Sequence, residues 1–392
     1  MSLIAAVIAL SVLFNGQDNT AYAASAQEDV QSDLENEISR SIEQLIGGDF
    51  EDFFNALDEN GKGIFGKSAQ EIAMKLAKGE SVTAEVVVQV VSQSFATELT
   101  ATFSALIGIV MLAFLSSIAK NVSSGFQKES TAKLIHFVIY GSIISIIAAL
   151  LTSAVVSARA IVILAVRLTE IALPIMLTLL AAIGGGATSG VFQPIAAFLT
   201  GFIAKTIEVV VIPMFIASSV FIIVSNLTKG VKFTKLAEGL QSVAKWLMGI
   251  LFGILITLLT LGGTVGAGVD GVSLKSMKFA VSGYVPILGG YLASGFDIVL
   301  AGALVVKNSV GALAVLLLFA AVCAPILKLV VLSLLLKLAG GIVQATGEDE
   351  ISSLLTGTGK NLNILIAGSA GVAFCAGIFF TMFIFIFNGG VL

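Results

Sequence analysis

Two pairs of opposite charges stand inside long apolar stretches of the chain, where they could do chemistry. Arg167 precedes Glu170 by three residues, and Lys205 precedes Glu208 by three. Residues at i and i+3 share one face of a helix, so we expect each cation to neutralise its own acid. An unpaired ion at the centre of a bilayer costs about 2.5–3.5 kcal/mol. The pairs therefore indicate either a polar pathway through a membrane or contacts that hold helices together.

A second charged region runs from Asp270 to Gly295 and combines charge, a proline and many glycines. Irregular backbone is tolerated in lipid only where protein or water satisfies it, which predicts a pore-lining or partner-contacting element here. The alternative is that these charges sit near the membrane surface, snorkel, or join helices. The candidate pathway or interface residues outside the two pairs are Asp270, Lys275, Lys278, Pro286, Asp297 and Lys307.

Conventional enzyme signatures are absent from the sequence. Gly357 to Lys360 resembles the end of a phosphate loop, but Leu354 and Asn361 stand where that motif needs Gly and Ser or Thr. The two cysteines, Cys323 and Cys375, are isolated in apolar segments and are expected to be small core residues. The sequence therefore predicts no enzyme activity, no metal and no cofactor.

These residues must be positioned by membrane helices. Leu99 to Ala119 carries no formal charge over 21 residues, which spans ~30 Å as a helix. Similar stretches are Leu134–Ala158, Trp246–Val269, Asn308–Leu327 and Asn361–Leu392. Proline and glycine interrupt the apolar stretches Ile171–Ile183 and Tyr284–Phe296, and Val191–Ala204 is only 14 residues long. These stretches are either short spans or paired half-helices. The expected number of crossings is about six to ten.

Composition agrees with a membrane protein, because 57% of the residues are hydrophobic and only 12% are charged. The charge is unevenly distributed: 16 acidic and five basic residues up to Glu98 give −11, and the remainder carries +7. An acidic front end argues against nucleic acid as its partner.

The first 98 residues have the pattern of an exported segment. Leu3 to Phe14 is an apolar core too short to span, with small residues for cleavage following it, so residues 1–26 are predicted to be a signal peptide. The positive residues that normally precede such a core are missing, and a short uncleaved anchor is the alternative. Residues 27–98 are expected to form a small acidic helical segment, with amphipathic periodicity from Val30 to Leu45 and a further helix from Ser68 to Ala77. It is either a loosely packed cap or a docking surface.

Laying the chain on itself with an offset of 112 residues indicates a tandem repeat in the membrane domain, residues 99–392. Pro174 then falls on Pro286, and Pro213 falls on Pro325. The fold predicted is an all-α, polytopic transmembrane helical bundle preceded by the exported segment. Its parts are repeat units at roughly 120–231 and 232–343 and a C-terminal span at 361–387.

Three G-x-x-x-G spacings, which allow two helices to approach closely, occur in this domain. They start at Gly186, Gly249 and Gly262. Packing within one chain is favoured over a dimer face.

Orientation follows from the basic loops. The first loop, Asn121–Ala132 with its borders, has Lys120, Lys128 and Lys133 against Glu129. The second, Thr228–Ala244 with its border, has four lysines against Glu238, namely Lys229, Lys232, Lys235 and Lys245. Short positive loops of this kind are typical of the cytoplasmic side. An exported N-terminus makes the first span cross inwards and gives the same assignment. The repeats are then parallel in topology, and the C-terminus after Phe387 is predicted to lie outside the cytoplasm.

Several segments resemble the stage III sporulation protein AE family of endospore-forming bacteria, in order, over roughly residues 82–370. They are Val269–Lys275, Lys278–Ala280, Tyr284–Gly290, Leu304–Gly311, Thr188–Gly190 with Gln193-Pro194, Val224–Leu227 and Lys337–Gly340.

The resemblance implies a multi-pass protein of the mother-cell membrane around the forespore. It also implies partners: other stage III sporulation membrane proteins, ring-forming proteins and a cytoplasmic secretion-type ATPase, together with membrane lipid. The chain would then be a membrane core component of a channel-like complex for late forespore development. A homo-oligomer is compatible with this. The alternative is a stand-alone secondary transporter with a midplane site.

Overall fold

The structure, a computed structural model, describes residues 26–57, 67–80, 83–123, 129–227, 233–284 and 289–386. Three short helices come first and long helices follow. In chain order they are α1 (Ala26–Ile46), α2 (Asp49–Asn55), α3 (Ala69–Ala77), α4 (Ala84–Ser123), α5 (Glu129–Ala182), α6 (Gly186–Ala197), α7 (Ile212–Leu227), α8 (Thr234–Tyr284), α9 (Gly289–Gln344) and α10 (Asp349–Phe385). Residues 1–25 of the predicted signal peptide lie outside the described residues.

α6 and α7 are the two ends of one continuous helical rod, Gly186–Leu227. Between them lie two π-helical segments, Phe198–Ile203 and Ile207–Val211, on either side of a single α-helical turn. Pro213 has no N–H to offer the Val209 carbonyl, and its ring crowds that carbonyl, which accounts for the irregular turn before α7. The short apolar stretch Val191–Ala204 is therefore part of one long helix, and the half-helix alternative is wrong here.

Within the described residues, six helices are long and apolar enough to cross a membrane. Each of five includes all or most of one predicted charge-free stretch, and the rod Gly186–Leu227 is the sixth. The stretch Ile171–Ile183 belongs to α5, which continues through Pro174 to Ala182. The all-helical membrane fold is thus confirmed, with a count at the low end of the predicted range.

α10 lies at the centre of the bundle and packs against α5, α7, α8 and α9. Gly311 and Gly340 of α9 pack against Ile384 and Thr356 of α10, so these two helices are antiparallel. Gly263 of α8 packs against Met382, near the end of α10, and Met248 lies against Gly368, so α8 and α10 are parallel. The Ser117 hydroxyl near the end of α4 donates to the Thr346 carbonyl, and Ile222 of α7 lies against Gly357 of α10. The ends of α4 and α7 therefore lie at the same end of the bundle as the start of α10.

The helices are longer than a bilayer is thick. α5, α8 and α9 have 54, 51 and 56 residues. At 1.5 Å per residue they extend ~75–85 Å, more than twice the ~30 Å of a hydrocarbon core. Part of each helix therefore lies outside the lipid.

In only one of the three G-x-x-x-G spacings do both glycines lie close against another helix. A Cβ on Gly262 or Gly266 would lie 2.7 Å from Val191 or Thr188 of α6, which confirms the prediction of packing within the chain. Gly249 and Gly253 face open space. Because glycine has no side chain, α6 and α8 can approach this closely.

The front end is helical, as predicted. α3 begins at Ala69 with Ser68 as its N-cap, whose hydroxyl accepts the N–H of Glu71. Phe50, Phe53 and Phe54 of α2 are buried in one core with the membrane helices. The front end is therefore packed on the bundle, and α4 runs without interruption through the expected boundary at residue 98.

The tandem repeat stays a prediction. Each proposed unit contains two long helical rods, which fits a duplication. However, Pro174 lies inside α5, whereas its partner Pro286 falls between α8 and α9, outside the described residues.

Candidate functional site

The two charge pairs, which lie 38 residues apart in the sequence, line a single groove. Arg167 and Glu170 project from α5, and Lys205 and Glu208 project from the irregular centre of the rod. The groove has a volume of about 540 Å³, and its apolar walls include Val162, Ile163, Val166 and Ala204. We call these four charged residues the quartet. Sequence spacing predicted each pair but did not predict that the two pairs meet.

The backbone around the quartet is irregular on both sides of the groove. Lys205 lies in the single α-helical turn between two π-helical segments, and Glu208 lies in the second of them. Glu170 stands four residues before Pro174, so its carbonyl lacks the usual helical N–H donor. π-helical segments within α-helices often mark functional sites.

Only one of the two pairs forms within the chain. The Lys205 Nζ lies 3.1 Å from the Glu208 Oε2, as predicted, with both side chains partly exposed. Among the described residues no ion pair joins Arg167 to Glu170, and both are exposed. Their order, with the cation nearer the N-terminus, is the less favourable one on a helix. The predicted neutralisation is thus found at one pair and not at the other.

The quartet lies at the level of the charge-free helix segments. Ile207, between Lys205 and Glu208, packs against Gly368 of α10. Gly368 is seven residues, or ~10 Å, inside the charge-free stretch that begins at Asn361. Lipid offers no partner for these charges, so a protein or ligand contact is favoured there.

Lys307 has a different role. Its side chain is fully buried, and its Nζ donates to the carbonyls of Phe383 (3.2 Å), Ile384 (3.1 Å) and Ile386. The same ammonium lies 5.6 Å from the centre of the Phe383 ring. The last carbonyls of a helix have no intrahelical donor and carry partial negative charge. Lys307 of α9 thus caps the C-terminus of α10.

Asp270 performs the opposite task on α6. Its two carboxylate oxygens accept the backbone N–H groups of Ala187 (2.9 Å) and Thr188 (2.8 Å), in the first turn of that helix. Asp270 is 3% exposed. A carboxylate at a helix N-terminus satisfies free donors and matches the dipole. Asp270 of α8 therefore caps the N-terminus of α6. The structure gives the predicted pore-lining role no support at this residue.

The other candidates lie beyond what the structure describes. Lys275 and Lys278 belong to α8 and Asp297 belongs to α9, but their side chains are not among the described ones. Pro286 lies between these helices, outside the described residues. Their predicted role stays a prediction.

Sequence reasoning missed a buried polar cluster at the centre of the bundle. The Asn361 side chain of α10 donates to the Phe215 carbonyl and to the Ser219 hydroxyl of α7. The Ser218 hydroxyl donates to the Asn361 carbonyl oxygen and receives a bond from Gln241 of α8. Hydrogen bonds of this kind join membrane helices. The signal available was small polar residues within apolar helices.

Nothing in the described part of the chain resembles a metal centre, since no group of three His, Cys, Asp or Glu side chains could hold an ion there. Cys323 and Cys375 are buried, in agreement with their prediction as core residues.

The two cations and two carboxylates of the quartet lie in an open groove, so they can recognise charged groups of either sign.

Comparison with known proteins identifies the family. The profile of Stage III sporulation protein AE matches residues 67–389. The stage III sporulation protein AE of Bacillus subtilis (strain 168) is 26% identical over 265 residues, which cover 68% of this chain and 66% of that relative. No solved structure matches the chain. Because the profile covers most of the chain, this multi-pass helical protein belongs to the stage III sporulation protein AE family.

Proposed function

We propose that the chain is the membrane core subunit of a multiprotein channel-like complex that supports late forespore development. Its role is to assemble other subunits, without catalysis of its own. Its partners are other stage III sporulation membrane proteins, ring-forming proteins outside the cytoplasm and a cytoplasmic secretion-type ATPase. Membership of the sporulation family and six membrane-capable helices support this assignment.

The observation that carries the proposal is the position of the quartet on the outside of the bundle. A substrate site buries most of its ligand, commonly 70–90% of the ligand's surface. Here the groove is open, and the Lys205 side chain is 66% exposed. A charged surface that lipid cannot satisfy is expected where another protein docks.

A stand-alone secondary transporter is the second candidate function. Charges at the depth of apolar helices and irregular helix segments are features of transport sites, and the quartet has both. In that case the groove would bind the transported species, and the protein would function without copurifying partners.

The orientation that we propose places residues 27–98 and the C-terminus outside the cytoplasm. The two basic loops, which follow α4 and α7 in the sequence, would then face the mother-cell cytoplasm. This arrangement suits a tandem parallel repeat and a mother-cell membrane facing the forespore. Cysteine labelling in intact cells tests it, and a Lys235→Cys protein that is labelled from outside would contradict it.

Charge reversal at the observed ion pair tests the role of the groove. The double variant Lys205→Glu with Glu208→Lys retains a pair within the chain. If that pair only stabilises the helix, the double variant should restore what either single change removes. If the groove recognises a partner by sign, the double variant should accumulate normally but fail to copurify the ATPase and ring proteins in mild detergent.

The chain supplies a matched control. Lys235 and Glu238 form an ion pair at 3.0 Å with the same i, i+3 spacing and order, away from the groove. Their reversal should change neither accumulation nor copurification. Full rescue by reversal at Lys205 and Glu208 would contradict recognition through the groove. Sporulation that stays normal while no other protein copurifies with the unmodified chain would favour the transporter.

A further inference from the structure

We infer that the groove is the contact surface between two copies of this chain, related by a two-fold axis, with the quartets facing each other. The inference rests on the proposed function, because it names the partner at the same groove. The protein that docks at the groove is then a second copy of the chain, and the other subunits are expected to bind the assembled dimer.

Charge complementarity is the first reason. The quartet has two positive and two negative groups and no net charge. A two-fold axis places one surface against its own copy, so a self-complementary patch must offer both signs. Arg167 and Glu170 are exposed, and no ion pair joins them within the described chain. Each can therefore pair with an opposite charge of the facing copy.

Apolar side chains around the quartet are the second reason. Ile163 stands one helical turn before Arg167 and is more than half exposed. Phe202 and Val209 flank the charges of the rod and are also more than half exposed. The Phe202 ring stacks on Phe198 with centroids 5.3 Å apart, so it presents a fixed apolar surface. Aromatic and aliphatic anchors around a few charged residues are the composition of protein interfaces.

The openness of the groove argues for a protein partner over a small ligand. Lys205 stays two-thirds exposed although it is paired, so a small molecule bound there would remain largely uncovered. Lipid tails could cover Ile163 and Phe202 but offer nothing to the charges. A second copy satisfies both at once.

Cysteine cross-linking in membranes tests the inference, with the full-length chain produced without other sporulation proteins. Cys323 and Cys375 are buried and are first replaced by alanine. A single Ile163→Cys change should then give a cross-linked dimer with a short bis-maleimide. The matched control is Ile254→Cys, also exposed but on α8, which should give several-fold less.

A second experiment uses two variants whose quartets have net charges of opposite sign. Arg167→Glu leaves the quartet with one positive and three negative groups, and Glu170→Arg leaves three positive and one negative. Each variant, combined with Ile163→Cys, should cross-link to itself several-fold less than the parent. The two produced together with different tags should cross-link to each other at about the parent level.

The outcomes separate the possible partners. Equal cross-linking at positions 163 and 254, or no recovery in the mixed pair, would overturn the inference. If position 163 cross-links only when the other sporulation proteins are present, and the product does not have the mass of a dimer of this chain, the groove belongs to another subunit. If the unmodified chain forms the cross-linked dimer but does not copurify the ATPase in mild detergent, the proposed function is contradicted and the inference stands.

Discussion

The charged residues of the membrane helices fall into two groups, those that cap a helix end and those that line the groove. Asp270 and Lys307 are buried, and each is satisfied by backbone groups at a helix terminus. The quartet side chains are partly or fully exposed, and the ion pair observed among them joins Lys205 to Glu208. A charge inside an apolar sequence therefore indicates either a tertiary helix cap or an interaction surface, and the contacts distinguish the two.

The sign of each cap follows from helix electrostatics. An α-helix has partial positive charge and free N–H groups at its start, and partial negative charge and free carbonyls at its end. Asp270 lies at the start of α6 and Lys307 at the end of α10. In lipid, water cannot replace either partner, so a side chain from a neighbouring helix provides the bond.

Removing the buried cation should have the largest effect. Lys307→Met would leave the end of α10 without its donor. Each buried carbonyl left unpaired costs about 1–3 kcal/mol, so we expect a loss of roughly 3–5 kcal/mol. The protein should fail to accumulate, or melt at a much lower temperature in detergent. Lys328→Met, at a half-buried position of the same helix, is the control and should accumulate normally.

The buried carboxylate should be next in importance. Asp270→Ala would leave the N–H groups of Ala187 and Thr188 without acceptors, which is expected to cost about 2–4 kcal/mol because charge-assisted bonds are lost. Asp270→Asn keeps one acceptor oxygen and should lose roughly half as much. Thermal unfolding in detergent measures both variants. Equal stability of the alanine variant and the unmodified chain would refute the cap.

The packing beneath the Asp270 cap should be sensitive as well. A Cβ on Gly266 would lie 2.7 Å from the Thr188 hydroxyl and 2.8 Å from its Cα. Gly266→Ala should therefore push α6 and α8 apart at a cost of about 1–3 kcal/mol. Gly253→Ala, where the added methyl meets open space, should be neutral. The same melting assay compares them.

Much of this architecture could be predicted from the sequence. Charge-free stretches located five of the six spans, because lipid permits few charges in a helix. The rod Gly186–Leu227 was not recognised as one span, since Lys205, Glu208 and Pro213 interrupt its apolar pattern while the backbone adapts through π-helical turns.

The site was only half predictable. The i, i+3 spacing identified both charge pairs, but their meeting in one groove depends on how α5 packs beside the rod. Asp270 and Lys307 were recognised as unusual, yet their partners are backbone groups of distant helices. Sequence spacing carries no information about such contacts.

Removing the charge of an exposed carboxylate should have the smallest effect on stability. Outside the membrane helices, Glu71 accepts the Lys67 N–H and a bond from Lys75. The hydrogen bond from Lys75 is the main cause that lowers the Glu71 pKa below its usual 4.5. Its contribution to stability is therefore complete above about pH 4.5 and is lost as the pH falls through the lowered pKa. Glu71→Gln should slightly reduce this acid dependence, measured as protease cleavage near Lys67, and leave neutral-pH accumulation unchanged.

The most direct test compares one residue from each region in a sporulating strain, by the amount of protein in membranes and the yield of heat-resistant spores. Lys307→Met should lower both together, because the helix cap supports folding. Arg167→Gln should leave the amount of protein unchanged and lower the spore yield, because the groove supports assembly. Normal protein amounts with Lys307→Met, or normal spore yield with Arg167→Gln, would contradict the division between structural caps and a functional quartet.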